Sequence, residues 1–368
     1  MSQELSPGLR VLEESTVVDA DVHLTVQSGA ISPEVMSRYV DDKYHDRLRA
    51  SSAFPQSYGA DRTNAPGERI GYDDRLLTSP ERVTENVVEG LHVDYPLLNT
   101  NPGVQKLPDE DLAVGLMRAF NDYLLDHFLD DTDFFGLAGI TQQKPHEAAE
   151  EIDRIGDEDQ IIGLYIGSTG PRLPLGHPKY DPIYEAAADN DLHIAYHGAA
   201  GDKFRYDFPK QHQGIQRFMT GHTLAHLWAQ SLTATSLIAN GTPEKFPGLN
   251  FTFLESGLTW VPNVMWQLNE EYERKKDEVP MLEQTPEEYF RESFYFTSQP
   301  LGEPERARQL QDVIDVIGVD SIMFSSDYPH WDFDHPTELD KHLRSVFSEE
   351  EREKVLLETP KEAFDLDI

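Results

Sequence analysis

Eight short apolar, β-branched or aromatic runs recur along the chain, each bounded by turn residues or by stretches of helical periodicity. They cover residues 17–22, 91–98, 134–140, 161–166, 193–197, 250–255, 293–297 and 321–326. Amphipathic helical stretches fall between most of them, at 111–129, 145–155, 182–190, 223–240, 261–277 and 304–317. Strand–helix alternation repeated eight times predicts parallel strands with helices packed outside them. The expected fold is an α/β (β/α)8 TIM barrel, with a doubly wound open sheet as the alternative. A barrel of this kind takes all of residues 1–368 as one domain. Two segments exceed a minimal barrel, 24–89 after the first strand and 198–221 after the fifth. Long loops after barrel strands lie on the active face, so both are expected to be lids or binding segments, 24–89 as an insertion after strand one.

Composition removes several function classes. No run of 18 apolar residues exists, which excludes a membrane-spanning helix. Residues 1–15 are polar and acidic, unlike a signal peptide, so a soluble cytoplasmic protein is expected. With no cysteine, disulfides, a thiol nucleophile and thiolate zinc sites are all excluded, and any metal must be held by His, Asp or Glu. The chain carries 67 acidic against 31 basic side chains, a formal charge of −36. Such a surface repels nucleic acid and acidic membranes, leaving a small-molecule substrate as the expected partner. The 18 Phe, 15 Tyr and 4 Trp argue against an acidic disordered chain. Acids spread along the whole length fit adaptation to high salt, where counterions screen self-repulsion.

Polar residues at the strand ends carry the chemistry. Asp19-Ala20-Asp21-Val22-His23 closes strand one, and residues two apart in a strand project to one side. Asp21 and His23 therefore emerge together. His197 ends strand five in Ala195-Tyr196-His197-Gly198, and Asp327 follows strand eight in Ser325-Ser326-Asp327-Tyr328-Pro329-His330. Each alone fits a hydrogen-bonded turn or a helix cap. Together, on strands one, five and eight of one barrel, Asp21, His23, His197 and Asp327 supply four N/O ligands for a divalent ion with a position left open. Glu255, ending strand six, adds a polar group to the same face.

The chain resembles the amidohydrolase superfamily, in particular the branch that includes aminocarboxymuconate-semialdehyde decarboxylase. The resemblance spans nearly the whole chain. It rests on Val18-Asp19-Ala20-Asp21-Val22-His23, Ile194-Ala195-Tyr196-His197-Gly198, Glu244-Lys245-Phe246-Pro247-Gly248-Leu249 and Ser326-Asp327-Tyr328-Pro329-His330. It implies a distorted barrel with one catalytic divalent metal, His23 and His197 as imidazole ligands, and Asp327 as a ligand that also exchanges a proton. Members hydrolyse C–N, C–O or C–C bonds, or remove a carboxylate from an unsaturated or aromatic acid without an organic cofactor; many form dimers, so a homodimer is expected. Two positions depart from the pattern. Asp21 stands where many relatives have His, which makes the site harder. Glu255 stands where the decarboxylases place a proton-carrying His. His222 and His226, at the start of the helix before strand six, are the candidates to replace it. Strand four ends without the Lys that bridges two ions in binuclear members, so one ion is expected, zinc first and manganese as the alternative.

Two mechanisms follow. The main expectation is hydrolysis by a metal-activated water, with Asp327 as general base and Glu255, His222 and His226 as further catalytic candidates. The alternative is non-oxidative decarboxylation of an aromatic or dienoic acid, whose carboxylate needs a cation; Arg62, Arg69 and Arg172 are candidates. A non-catalytic barrel is a third reading, disfavoured by the retained ligand set. Tyr58, Tyr72, Phe204, Tyr206, Phe208, Tyr328 and Trp331 fit an aromatic or unsaturated substrate, or simply pack the loops.

Overall fold

The structure is a computed structural model. It describes residues 15–24, 36–45, 76–100, 104, 107, 109–168, 172–198, 218–302, 304–330, 332–334 and 344–368. Most of the 24–89 insertion and of the 198–221 segment lies outside these residues, as do Tyr58, Arg62, Arg69, Tyr72, Phe204, Tyr206, Phe208 and Trp331.

Eight strands run in sequence order: β1 Val18–His23, β2 Tyr95–Asn99, β3 Phe135–Ile140, β4 Ile161–Gly167, β5 His193–His197, β6 Phe251–Leu254, β7 Phe294–Thr297 and β8 Ile322–Met323. Every neighbouring pair is parallel. The open-sheet alternative fails at the last seam, where β8 and the residues after it return to β1. Ala20 N donates to Phe324 O at 3.1 Å, Asp327 N to Asp21 O at 3.1 Å and His23 N to Tyr328 O at 2.8 Å. The fold is therefore a closed (β/α)8 barrel. Its longer helices are α1 Glu110–Leu124, α2 Pro145–Ile155, α3 Asp181–Asp189, α4 Phe218–Ala239, α5 Trp260–Lys275, α6 Pro286–Glu292 and α7 Ala307–Ile317.

Strand pleating sorts the apolar residues into two layers. One core cluster takes a residue or two from every strand: Val18, Ala20, Leu97, Leu137, Tyr165, Ala195, Leu254, Tyr295 and Met323. This is the barrel's inside, closed at its lower end by Phe364 and Leu366. The other cluster faces the helices and absorbs much of the aromatic content. On β5–β7 it forms a wall of Tyr196, Phe251, Phe253, Phe294 and Phe296, with Phe253 stacked on Phe296 at 5.5 Å between ring centroids. On α7, Leu310, Ile314 and Ile317 are the buried positions, spaced i, i+4 and i+7 to meet this layer. Among the described residues no helix is long and apolar enough to cross a membrane.

Two sequence boundaries move for local reasons. Residues 91–94 were expected in strand two, but Leu91 ends a helix and His92 turns the chain in the left-handed region at φ 57°. The strand expected over 321–326 pairs in the ladder only at Ile322–Met323, because Phe324 N donates instead to Val355 O at 3.0 Å.

A buried polar link joins α1 and α2 to β3. Asn121 accepts from Gly139 N at 2.8 Å and donates to Gly139 O at 3.1 Å and to Glu151 at 2.8 Å. Arg154 in turn grips Glu151 at 2.7 and 2.8 Å. Removing Asn121 leaves a buried carboxylate and two backbone groups short of partners. Asn121→Leu is expected to cost about 3 kcal/mol in urea unfolding, a cost that exceeds that of an apolar swap of equal size. An unchanged midpoint would show that the link carries no stability.

Candidate metal centre

The four expected ligands meet at the C-terminal mouth of the barrel, all buried. Their geometry begins with an irregularity in β1. Its register against β2 slips by one residue between Asp19 and Val22. Val18 and Ala20 line the inside, Val22 faces the outer core, and the extra residue lets both Asp21 and His23 point inward. Asn99, at the end of β2, donates to Asp21 Oδ1 at 2.9 Å and fixes that carboxylate. Asp19 Oδ1 accepts from Asp21 N at 3.2 Å and from Ser326 N at 2.9 Å, so one oxygen aligns the backbone beside two ligands on two strands. Asp327 then adopts φ 64°, a left-handed conformation that turns its carboxylate back over the mouth.

The donor atoms crowd together without aligned hydrogen bonds to one another. His23 Nε2 lies 2.9 Å from Asp327 Oδ1 and 3.2 Å from Asp21 Oδ1, and His197 Nε2 lies 3.4 Å from Asp21 Oδ2. Yet His23 Nε2, His197 Nε2 and Asp21 Oδ2 are buried without an aligned hydrogen-bond partner. Ligands about 2.0–2.1 Å from a tetrahedral ion stand roughly 3.3 Å apart. These spacings match such edges, and the four-residue set fits a single divalent ion. Burial pushes the Asp21 carboxyl up, but the His23 and His197 rings more than offset this and hold it well below its usual value. Burial likewise opposes charge on His23, which Asp21 and Asp327 outweigh, raising it to about 10. His197 is lowered, chiefly by burial.

Glu255, at φ 47°, is the second left-handed residue at the mouth. Its Oε2 stands 3.1 Å from His197 Nε2 and 3.2 Å from His226 Nδ1. His226 therefore reaches the ligand cluster through Glu255. His222 groups with His226 and Glu255 rather than with the four ligands, and its Nε2 stands 3.2 Å from Asp332. Arg172 is displaced from its expected role: its side chain is 86% exposed and pairs with Glu110 at 3.7 Å. Tyr328, expected as a substrate-facing or loop-packing ring, is buried in the core with its ring centroid 5.2 Å from that of Phe333. Three contributors went without a role in the sequence reading. His330 Nδ1 approaches Asp327 Oδ1 at 2.7 Å, and burial, outweighed by Asp327, leaves the ring raised to about 9. Gln299 Nε2 reaches Asp327 Oδ2 at 3.5 Å. The buried Tyr165 ring lies 5.3 Å from that of His197, and its hydroxyl is held well above its usual value by burial and then by Asp21, Glu255 and Asp327. His330 lies in the Ser326-Asp327-Tyr328-Pro329-His330 motif, whereas Gln299 and Tyr165 carry only strand-end or inward-facing position as a signal.

A proton on His23 competes with an ion for Nε2. Because the ring is raised to about 10, it is protonated through the neutral range and must release that proton on binding. Apparent affinity is expected to climb roughly tenfold per pH unit between pH 7 and 9, with proton release detected by calorimetry in buffers of different ionisation enthalpy. A pH-independent affinity with no proton released would contradict this arrangement.

A family model described as Amidohydrolase matches residues 18–366. Gamma-resorcylate decarboxylase of Rhodococcus jostii (strain RHA1) is 24% identical over 305 residues, covering 79% of this chain and 90% of that protein. The crystal structure of 5-carboxyvanillate decarboxylase from Sphingomonas paucimobilis superposes with a TM-score of 0.68 at 24% identity, covering 95% of this chain and 99% of that one. A dihydroxybenzoic acid decarboxylase from Polaromonas sp. JS666, solved with manganese and 2-nitroresorcinol, gives a TM-score of 0.67 at 21% identity, covering 96% and 98%. These relatives overturn the expectation of hydrolysis, since they are named for decarboxylation. The expectation leaned on Glu255 replacing a histidine at the end of strand six. In space, α4 returns an imidazole to that place, with His226 beside Glu255. With the match running almost from end to end, the chain belongs to the amidohydrolase family.

Proposed function

We propose that the protein is a metal-dependent, non-oxidative decarboxylase of a hydroxylated aromatic acid. The observation that carries this reading is the buried Asp327 carboxylate, 2.9 Å from His23 and 2.7 Å from His330, at the mouth of a barrel whose relatives act on gamma-resorcylate and 5-carboxyvanillate. Asp21, His23, His197 and Asp327 would hold the ion. The two carboxylates among them and the manganese in related structures favour Mn²⁺ over Zn²⁺. When bound, the ion supplies a Lewis acid that anchors the substrate's anionic oxygens.

The side chains do the rest. Burial would push the Asp327 carboxyl up, but the His330 and His23 rings hold it below its usual range. Asp327 takes a proton from His330 at 2.7 Å and adds it to the ring carbon bearing the carboxylate, and solvent reprotonates the part-exposed His330. The C–C bond to the carboxylate then breaks, its electron pair restores the aromatic ring, and carbon dioxide leaves. Asp327 is left ionised, held in place by His330 and Gln299. Glu255 and His226 form the polar wall facing the substrate, with His222 at its outer end, and Tyr165 closes the floor against water.

The test is turnover of 2,6-dihydroxybenzoate and 5-carboxyvanillate by manganese-loaded protein in heavy water. One deuterium on the vacated ring carbon and one carbon dioxide per turnover are expected. Asp327→Asn should lower kcat by at least about a thousandfold while part of the metal stays bound. Turnover without carbon dioxide, or full activity in that variant, defeats the proposal.

The acidic surface belongs to the same reading. We infer that the charge of −36 suits a salt-rich medium. The midpoint of thermal unfolding is expected to rise steadily as potassium chloride goes from dilute to molar, most steeply at the low end, where screening changes fastest. A flat or falling curve would remove the inference.

A further inference from the structure

Beside the four-ligand centre lies a second group of metal-binding side chains. His222 and His226 sit four residues apart on α4, so both rings leave one face of the helix, with centroids 5.4 Å apart. Donor atoms of His222, His226 and Glu255 all lie within 4.8 Å of one another. Two contacts have the length of a ligand edge. Glu255 Oε2 is 3.2 Å from His226 Nδ1, and Asp332 Oδ2 is 3.2 Å from His222 Nε2.

The surroundings are built to hold this group still. One turn beyond His226, Gln230 donates to Tyr196 O at 2.7 Å and to Leu254 O at 3.0 Å. That side chain clamps α4 across β5 and β6, the two strands that present His197 and Glu255. Gly198 makes the approach possible, since a Cβ there would stand 3.0 Å from His226 Nδ1. A pre-positioned pair of imidazoles with one carboxylate suits a borderline transition ion that keeps a position for solvent. Charge points the same way. Asp21 and Asp327 match one divalent ion, whereas Glu255 and Asp332 are two further carboxylates at the same mouth.

We propose that His222, His226 and Glu255 form a second seat for a divalent transition-metal ion of the zinc class, with Glu255 standing between the two seats and Asp332 beside His222. The rival is a pair of separate imidazole–carboxylate contacts that take up no ion. The lysine missing from β4 does not bear on the choice, because this seat is built from α4 and the loops, and it does not depend on decarboxylation.

Full-length protein stripped of metal is titrated with Co²⁺, following visible absorption, then with Zn²⁺, followed by gel filtration and elemental analysis. Wild type is expected to retain two equivalents. The double variant His222→Ala/His226→Ala should retain one, with loss of the second cobalt spectrum and an unchanged far-ultraviolet circular dichroism spectrum. The milder His222→Gln/His226→Gln pair should do the same, and stands in if the alanine pair fails to fold. Asp21→Asn/His197→Ala should weaken the first equivalent and spare the second. One equivalent in wild type, two in the folded double variant, or none there, each overturns the proposal. Decarboxylation in a protein holding one ion would leave the proposed activity intact while removing the second seat.

Discussion

The seam where β8 returns to β1 is the contact on which the centre depends. Two of its candidate ligands come from β1 and one from the segment after β8, residues separated by almost the whole chain. The ladder does little to hold them, since β8 contributes only Ile322–Met323. The work passes to Asp19, whose Oδ1 accepts from Asp21 N and Ser326 N, and to the backbone bonds of Ala20, His23 and Asp327 across the gap. Asp19 is fully buried. Burial raises it to about 7, with the hydrogen bonds from Ser326 pulling the other way. A carboxylate placed there is costly to bury, and its two backbone contacts are what offset that cost.

The same mouth stores conformational strain. Glu255 and Asp327 lie at φ 47° and 64°, where side chains with a Cβ cost about 1–3 kcal/mol each. Extended backbone at these positions would carry each carboxylate onward along its strand. The left-handed turn redirects Glu255 toward His197 and His226, and Asp327 toward His23 and His330. Strain that places two acids against four imidazoles suits a mouth able to hold positive charge, since the acids are otherwise held close in a buried space.

Much of this was legible because barrels repeat a simple pattern. β5 at His193–His197 and α2 at Pro145–Ile155 fall on their expected residues, since buried runs and a proline at the first helical turn are local signals. That Asp21, His23, His197 and Asp327 gather at one mouth was legible for the same reason, as polar residues that end apolar runs. What stayed hidden is non-local. The bulge that turns Asp21 inward shows only against β2. The short length of β8 depends on Val355, which captures the Phe324 amide. Glu255 read as a lost histidine because the sequence places His226 on another element. Only the clamp of Gln230 across Tyr196 and Leu254 brings that ring back. Arg172 read as a cation for the substrate, but it stands on the surface with Glu110.

That displacement bears on how the aromatic acid proposed above would bind a chain of charge −36. At physiological ionic strength the field of distant surface acids is screened over about 8 Å, and over about 3 Å at molar salt. An aromatic acid arriving at the mouth therefore responds to the charges within a few ångströms. Among the described residues those are the carboxylates of Asp21, Glu255, Asp327 and Asp332 and the imidazoles between them, with no arginine or lysine contact at the four-ligand cluster. With the ligand set empty, this assembly is repulsive to a carboxylate. Divalent charge in the mouth reverses the sign where the substrate sits. On the proposed reading, an ion held by these residues would contribute to substrate binding as well as to reaction.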